Sequence, residues 1–206
     1  MTHARFHTLS HSLFLLAAAF LFLAPRSWLP SFYEPGLWGT VALLSPLLVW
    51  LPKKILHAPT EEKKGFLLKT QSFIACSLLI NGAGEFGLFQ LSRVGFEFDK
   101  FTHFLVPFLL SLAYSEGLRL WTNLSSREIW IRVAMTLFFA GLLWEFLEML
   151  SDALFHTKEW GMYGENIPAD TLADILFNSA GILFAFFIQK RQFLSLTRKK
   201  SLFRTT

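Results

Sequence analysis

Long apolar segments are the feature of this sequence that most restricts the folds it can adopt. Crossing about 30 Å of hydrocarbon takes about 20 residues in a helix. Six segments of about that length lie near residues 9–25, 36–52, 66–91, 101–121, 129–151 and 171–189. The segments between them are rich in proline, charged residues or turn formers. The sequence therefore predicts an all-α polytopic membrane protein, a bundle of about six transmembrane helices.

The composition favours the same class of protein. Hydrophobic residues make up 53% of the 206 residues and charged residues 17%, which is less charge than a soluble domain of this length usually carries. The net charge of +4 is interpreted as membrane topology, because the basic residues cluster in particular loops. We therefore exclude nucleic acid as a partner and expect contact with membrane lipid. The single cysteine, Cys76, has no partner for an intramolecular disulfide.

The positions of lysine and arginine predict the orientation in the membrane. Nearly all of the 19 basic residues fall in the N-terminus, the second and fourth loops, and the C-terminal tail. The exceptions in the other loops are Arg26, Arg93, Lys100 and Lys158. The positive-inside rule then places both termini in the cytoplasm and the first, third and fifth loops outside. We interpret the first segment as a retained span, because its small residues 17–19 lie in its middle rather than at a cleavage end.

The distribution of polar residues divides the chain into three parts. Residues 1–65 are predicted to form two N-terminal transmembrane helices and a cytoplasmic loop, with no ionisable residue in the helix cores. Residues 66–190 are predicted to form a four-helix membrane core that holds the polar residues at membrane depth. Residues 191–206 form a basic cytoplasmic tail, which is typical of an anchor to the membrane surface.

Each of the last four spans carries its polar residues at helical spacing. The residues are Asn81 and Glu85; Asp99 and His103; Glu145, Glu148 and Asp152; and Asp170, Asp174 and Asn178. Residues four apart share one face of a helix, and the predicted orientation places these faces toward the outer half of the membrane. An acid at the centre of a span costs about 2.5 to 3.5 kcal/mol on insertion scales and normally faces a bundle interior. One outward-facing polar pocket is therefore predicted.

Structural explanations compete with a functional one for several of these residues. Asp99 and Asp170 begin spans, where an aspartate commonly caps the helix. Lys100 fits an interfacial residue whose ammonium reaches the headgroups. Glu145 fits a buried structural acid. Glu148 lies a full turn or more inside an apolar helix, as does Asp174, and neither capping nor snorkelling explains acids at that depth.

Two further residues have structural alternatives of their own. Asn178 is expected to form a hydrogen bond between helices. Glu85 lies in the glycine-rich segment INGAGEFG. That segment predicts either close helix packing or a broken helix that lines a cavity.

Three motifs in the last three spans, taken in order, resemble the YjdF-like family of small bacterial inner-membrane proteins. The motifs are DKFTH, with Asp99, Lys100, His103 and the following Phe104; WEFLE, with Trp144, Glu145 and Glu148; and DTLADILFNSAG, with Asp170, Asp174 and Gly181. The order is also similar, more distantly, to the VanZ-like family through Asp174, Asn178 and Gly181. The resemblance covers about residues 66–190. It implies a location in the bacterial inner membrane and no particular reaction.

The leading functional hypothesis is a metal-dependent enzyme. Its proposed metal ligands are Asp99, His103, Glu148 and Asp174; its catalytic groups are His103, Glu148, Asp174 and Lys100; its supporting residues are Glu85, Glu145, Asp152, Asp170 and Asn178. Carboxylates and imidazole suit Mg, Mn, Zn or non-haem Fe. Such a metal would polarise a phosphoryl or carbonyl group of a lipid headgroup or lipid-linked envelope precursor, in a hydrolase or transferase.

Two other classes of function remain open at this point. The same acids and His103 could form the relay of a proton- or cation-coupled transporter, which INGAGEFG favours if it is a broken helix. Alternatively, the chain is a scaffold or stress-related membrane protein whose polar network only fixes helix packing. The sequence indicates no oligomeric state.

Overall fold

The six predicted segments are helices in the computed structural model, which describes residues 3–29, 34–157, 160 and 166–202. The helices are α1 (His3–Leu23), α2 (Pro35–Ile55), α3 (Glu61–Glu85), α4 (Phe98–Trp121), α5 (Ser126–Phe155) and α6 (Ile167–Leu202), with short 3₁₀ helices at Arg26–Trp28 and Leu88–Val94. No β-strand occurs in the described residues. All helices except α4 are long and apolar enough to cross a membrane. The prediction of an all-α polytopic membrane protein is confirmed.

The remaining helix, α4, lies at the centre of the C-terminal half. It packs against α3, α5 and α6, and its polar side chains His103, Ser111 and Ser115 are buried. Its 24 residues would extend about 36 Å at 1.5 Å per residue, which is enough to cross a bilayer. These buried polar residues of α4 therefore face neighbouring helices instead of lipid.

The third helix is shorter than predicted. The apolar pattern indicated a span to residue 91, but α3 ends at Glu85. Gly87 adopts a φ of 120°, a backbone conformation that residues other than glycine rarely adopt, and a 3₁₀ helix follows. The helix is continuous through Asn81, so INGAGEFG is not a break within the span. Close packing occurs at Gly84, where an added Cβ would lie 2.3 Å from the ring of Phe89.

Two glycines allow α6 to approach its neighbours closely. A Cβ added at Gly181 would lie 2.2 Å from the backbone oxygen of Phe104 in α4. A Cβ added at Gly141 in α5 would lie 3.0 Å from the amide nitrogen of Asn178. Small residues at such points let helix backbones pack closely inside a membrane. These contacts hold the N-terminal half of α4 and the C-terminal half of α5 against α6.

The opposite end of the bundle is held by separate polar contacts. Lys69 of α3 pairs with Glu116 of α4. The side-chain amide of Gln189 in α6 donates a hydrogen bond to Ser115 Oγ in α4 at 2.7 Å. Glu116 thus has its ion-pair partner far along α4 from His103.

The predicted orientation has a direct test. A reporter fused after Thr206 is expected in the cytoplasm, because most lysines and arginines flank that end of the bundle. Green fluorescent protein at this position should fluoresce, and alkaline phosphatase should be inactive. An active phosphatase would mean that every helix has the opposite orientation to the predicted one.

The three-part division of the chain stays a prediction.

Candidate functional site

Three helices bring ionisable residues together at one end of the bundle. This polar cluster consists of Asp99, Lys100 and His103 from α4, Glu145 and Glu148 from α5, and Asp170 and Asp174 from α6. Helices α4 and α6 begin at this end and α5 ends there. The spacings of three and four residues place each helix's contribution on one face, so the faces meet where the helices cross.

Lys100 connects α4 to α6. Its ammonium nitrogen lies 2.5 Å from Asp170 Oδ1, 2.7 Å from Asp174 Oδ1 and 3.0 Å from Asp99 Oδ2. The Lys100 side chain is only 12% exposed. Lys100 is therefore an ion-pair partner inside the bundle, and the interpretation as a snorkelling interfacial residue is wrong.

The capping explanation for two aspartates is also wrong. Glu97 is the residue before α4, and its side chain makes no capping hydrogen bond. Asn166 precedes α6, and its side chain accepts a hydrogen bond from the backbone of Ala169 at 3.4 Å. Asp99 and Asp170 lie inside their helices and contact Lys100 instead.

His103 lies between two sets of carboxylates. The imidazole is buried, with 7% of its side chain exposed. Its Nε2 lies 3.5 Å from Asp99 Oδ1 and 3.7 Å from Asp174 Oδ1. Its Nδ1 lies 3.8 Å from Glu145 Oε1. One ring nitrogen therefore faces α4 and α6, and the other faces α5.

The two glutamates of α5 have few hydrogen-bond donors. Glu145 is buried, and its Oε1 has no hydrogen-bond partner among the described residues. Glu148 accepts a hydrogen bond from the indole nitrogen of Trp144 at 2.6 Å. A buried carboxylate without donors is costly. A proton or a cation bound on this side of the cluster would remove that cost.

Two groups within the cluster have the composition of a metal site. The first is Asp99, His103 and Asp174, and the second is His103, Glu145 and Glu148. Within each group the potential ligand atoms lie within 4.8 Å of one another. The first group already contacts the ammonium of Lys100, whereas no lysine of the described residues contacts the second. The uncompensated charge of the second group makes it the better fit to a divalent cation.

A cavity of about 240 Å³ opens beside His103. It is lined by residues of α3, α4, α5 and α6, among them Ser77, Asn81, Thr102, His103, Trp144 and Asn178. The other lining residues are mainly apolar. His103 is therefore reachable from within the bundle, through a space whose wall carries a few polar groups.

Several predicted site residues lie elsewhere or at the edge. Asp152 accepts hydrogen bonds from Thr157 Oγ1 at 2.6 Å and from the backbone of Trp160 at 3.2 Å, so it holds the segment after α5. Glu85 is the last residue of α3 and belongs to neither potential metal group. Asn178 lines the cavity and packs against Gly141.

Sequence reasoning missed two polar residues of the cavity wall. Ser77 has a buried hydroxyl with no hydrogen-bond partner among the described residues. It lies four residues before Asn81, and this helical spacing was the signal that could have identified it. Thr102 donates its hydroxyl hydrogen to the backbone of Asp99 at 2.7 Å, and its position beside His103 carried no periodic signal.

Comparison with known proteins gave one family. The model of the family described as "Predicted membrane protein (DUF2238)" matches residues 6–193. No curated protein and no solved structure matches the chain significantly. The match extends from α1 through the membrane part of α6 and is consistent with the YjdF-like resemblance. The VanZ-like resemblance stays a prediction.

Proposed function

Because the chain belongs to the DUF2238 family of predicted membrane proteins, we propose an activity that takes place in a membrane. The protein is a metal-dependent hydrolase or transferase that acts on a lipid or lipid-linked envelope substrate. Its membrane is the bacterial inner membrane, and the polar cluster faces outward. The observation that carries this proposal is the group of buried His103, buried Glu145 and partly buried Glu148, in which Glu145 Oε1 has no hydrogen-bond partner among the described residues.

The proposed ligands are His103 Nδ1 and the carboxylates of Glu145 and Glu148. This set differs from the one expected from the sequence, in which Glu145 had only a supporting role. Asp99 and Asp174 were expected to be ligands, but they lie on the Nε2 side of His103 and contact Lys100. A carboxylate on the far side of a ligating histidine orients the ring and raises its basicity. We assign this role to Asp99 and Asp174.

The chain's own residues then have separate tasks. The carboxylates near Nε2 hold the ring proton on that nitrogen, which leaves the lone pair of Nδ1 directed toward α5. Trp144 holds Glu148 through its indole N–H. Lys100 offsets the charge of three aspartates and joins α4 to α6. The metal, when bound, supplies Lewis acidity toward a phosphoryl or carbonyl oxygen. Carboxylate and imidazole ligands suit Mg, Mn, Zn or Fe.

A proton-coupled transporter is the second candidate. The same observation supports it, since a buried acid without a donor is also what a proton relay uses. The continuous course of α3 through Asn81 removes the broken helix that favoured a transporter from the sequence. If the cluster serves packing alone, the chain is a scaffold, and Glu148→Gln would alter stability without removing any bound ion.

Metal content of the purified protein tests the proposal. We expect about one equivalent of a divalent metal in wild type, measured by inductively coupled plasma mass spectrometry after purification in mild detergent. His103→Ala, Glu145→Gln and Glu148→Gln are expected to lose it. Asp99→Asn and Asp174→Asn are expected to weaken affinity by about 10- to 100-fold, the usual effect of an outer partner. Glu116→Gln is the matched control, because it removes an acid of a membrane helix away from the cluster.

Absence of metal from well-folded wild type, even after incubation with Mg, Mn, Zn and Fe(II), would contradict the enzyme proposal. The transporter would then be tested in proteoliposomes, by the change of internal pH when an ion gradient is applied. If the internal pH responds to no ion gradient, the scaffold is the remaining hypothesis.

A further inference from the structure

A second and larger cavity runs along α4 away from the polar cluster. It encloses about 690 Å³ and is lined almost entirely by apolar side chains of α2, α3, α4 and α5, including Leu51, Ile74 and Leu118. On α4 it extends from Leu110 to Trp121, about 16 Å at 1.5 Å per residue. Measured from His103, α4 runs about 27 Å to Trp121 at 1.5 Å per residue, which is most of a hydrocarbon core of about 30 Å. We call this cavity the apolar groove.

The apolar groove is continuous with the cavity beside His103. Leu78 of α3, Leu110 of α4 and Leu137 of α5 line both spaces. His103 lies about 10 Å from Leu110 toward the N-terminus of α4, at 1.5 Å per residue. One path therefore leads from the imidazole of His103 into an almost entirely apolar channel. A molecule that fills the path must be polar at one end and hydrocarbon along the rest.

The helix contacts leave this path open on one side. Helix α2 packs against α1 and α3, whereas α5 packs against α4 and α6. Within the described ranges, neither α2 nor α3 packs against α5, so the groove has a lateral mouth between α2 and α5. Thr136 of α5 is exposed and lies at this mouth. Because the surrounding medium is lipid hydrocarbon, a lipid chain can enter sideways without crossing water.

We propose that the apolar groove binds the hydrocarbon chain of the substrate, which enters between α2 and α5 and places its headgroup beside His103. The substrate is thus an amphiphile with one long chain along α4 and a polar head that carries a phosphoryl or carbonyl group. The assignment of the head rests on the proposed metal site, whereas the assignment of the chain rests on the apolar groove alone. The volume of the groove lies within the range of about 300–1,000 Å³ that is common for ligand sites.

Photo-crosslinking tests the proposal. The probe is a long-chain alkyl phosphate with a diazirine near the end of its alkyl chain. It is incorporated, together with the full-length protein, into phosphatidylcholine nanodiscs. Crosslinked residues are identified by mass spectrometry. We expect them on the groove walls of α2 and α4, near Leu51 and Leu118. Leu110→Trp narrows the junction of the two cavities. It should reduce groove crosslinks by about tenfold, equivalent to about 1.4 kcal/mol of binding free energy.

Two further variants keep the test decisive. Thr136→Trp narrows the mouth at an exposed position, so it should fold even if Leu110→Trp does not, and it should reduce groove crosslinks similarly. Leu143→Trp is the control, because Leu143 is exposed on α5 and lines neither cavity. Crosslinks spread over lipid-facing residues such as Leu143, and unaffected by either groove variant, would overturn the proposal. Metal content measured on the same samples separates the two hypotheses, since groove crosslinking without bound metal would contradict only the enzyme.

Discussion

Replacing Lys100 with methionine is expected to lower the free energy of unfolding by about 3–5 kcal/mol, the usual cost of removing one partner of a buried ion pair. The substitution keeps most of the side-chain volume but removes the only ammonium in contact with Asp99, Asp170 and Asp174 in the described part of the chain. Three carboxylates would then lie together between α4 and α6 without an opposite charge from a lysine. The contact between these helices should be the first to weaken.

The measurement is equilibrium unfolding by sodium dodecyl sulfate from mixed micelles, followed by tryptophan fluorescence. Lys69→Met is the matched control, because Lys69 pairs with Glu116 at a more exposed position, with 43% and 35% of the two side chains exposed. Exposed pairs contribute about 0–1 kcal/mol. The double variant Lys100→Met, Asp170→Asn should recover part of the loss, since it removes one of the unpaired charges. Equal losses of unfolding free energy for Lys100→Met and Lys69→Met would show that the contact of Lys100 with three aspartates stabilises the protein no more than an exposed ion pair does.

Replacing Gly181 with alanine is expected to cost about 1–3 kcal/mol, the usual range for overpacking a close contact. The new Cβ would lie 2.2 Å from the backbone oxygen of Phe104, and a backbone atom cannot rotate away as a side chain can. Helices α4 and α6 would have to separate. Because Lys100 reaches Asp170 and Asp174 across the same interface, this separation should also disturb the polar cluster and lower its affinity for a metal.

Gly65→Ala provides the control for this prediction. Gly65 is an exposed residue of α3, and an added Cβ there has no atom within 4 Å. Alanine in a helix is about 1 kcal/mol more favourable than glycine, so this variant should be neutral or more stable. Both variants are compared with wild type by unfolding in mixed micelles. A Gly181→Ala protein as stable as wild type would mean that α4 and α6 are further apart than the structure has them.

The sequence was sufficient to predict the helices and the faces that carry the polar residues. The apolar segments gave all six helices, and the spacings in DKFTH and DTLAD placed Asp99 with His103 and Asp170 with Asp174 on shared faces. One boundary error was the end of α3. There the glycine at 87 ends a segment whose composition stays apolar to residue 91. Composition measures burial in lipid, and it does not register a local change of backbone conformation.

The contacts between residues of the polar cluster could not be predicted from the sequence. The same helical spacing made Glu85 and Asp152 supporting candidates beside Glu148, yet Asp152 holds the segment after α5 and Glu85 belongs to neither potential metal group. Lys100 had the pattern of an interfacial residue, and only the approach of α6 surrounds it with aspartates. The contact between Glu145 and His103 likewise joins two helices.

What the sequence alone determined is local: the helices and their polar faces. These follow from spacing within about 20 neighbouring residues. The direction across the membrane stays a prediction from the positions of lysine and arginine. What only the tertiary structure decided is which faces meet and at what depth. It brought Gly181 against Phe104, Lys100 among three aspartates, and the apolar groove into line with His103. The reason is that the rotation and offset of one helix against another depend on contacts between residues far apart in the chain, which periodicity within a helix does not encode.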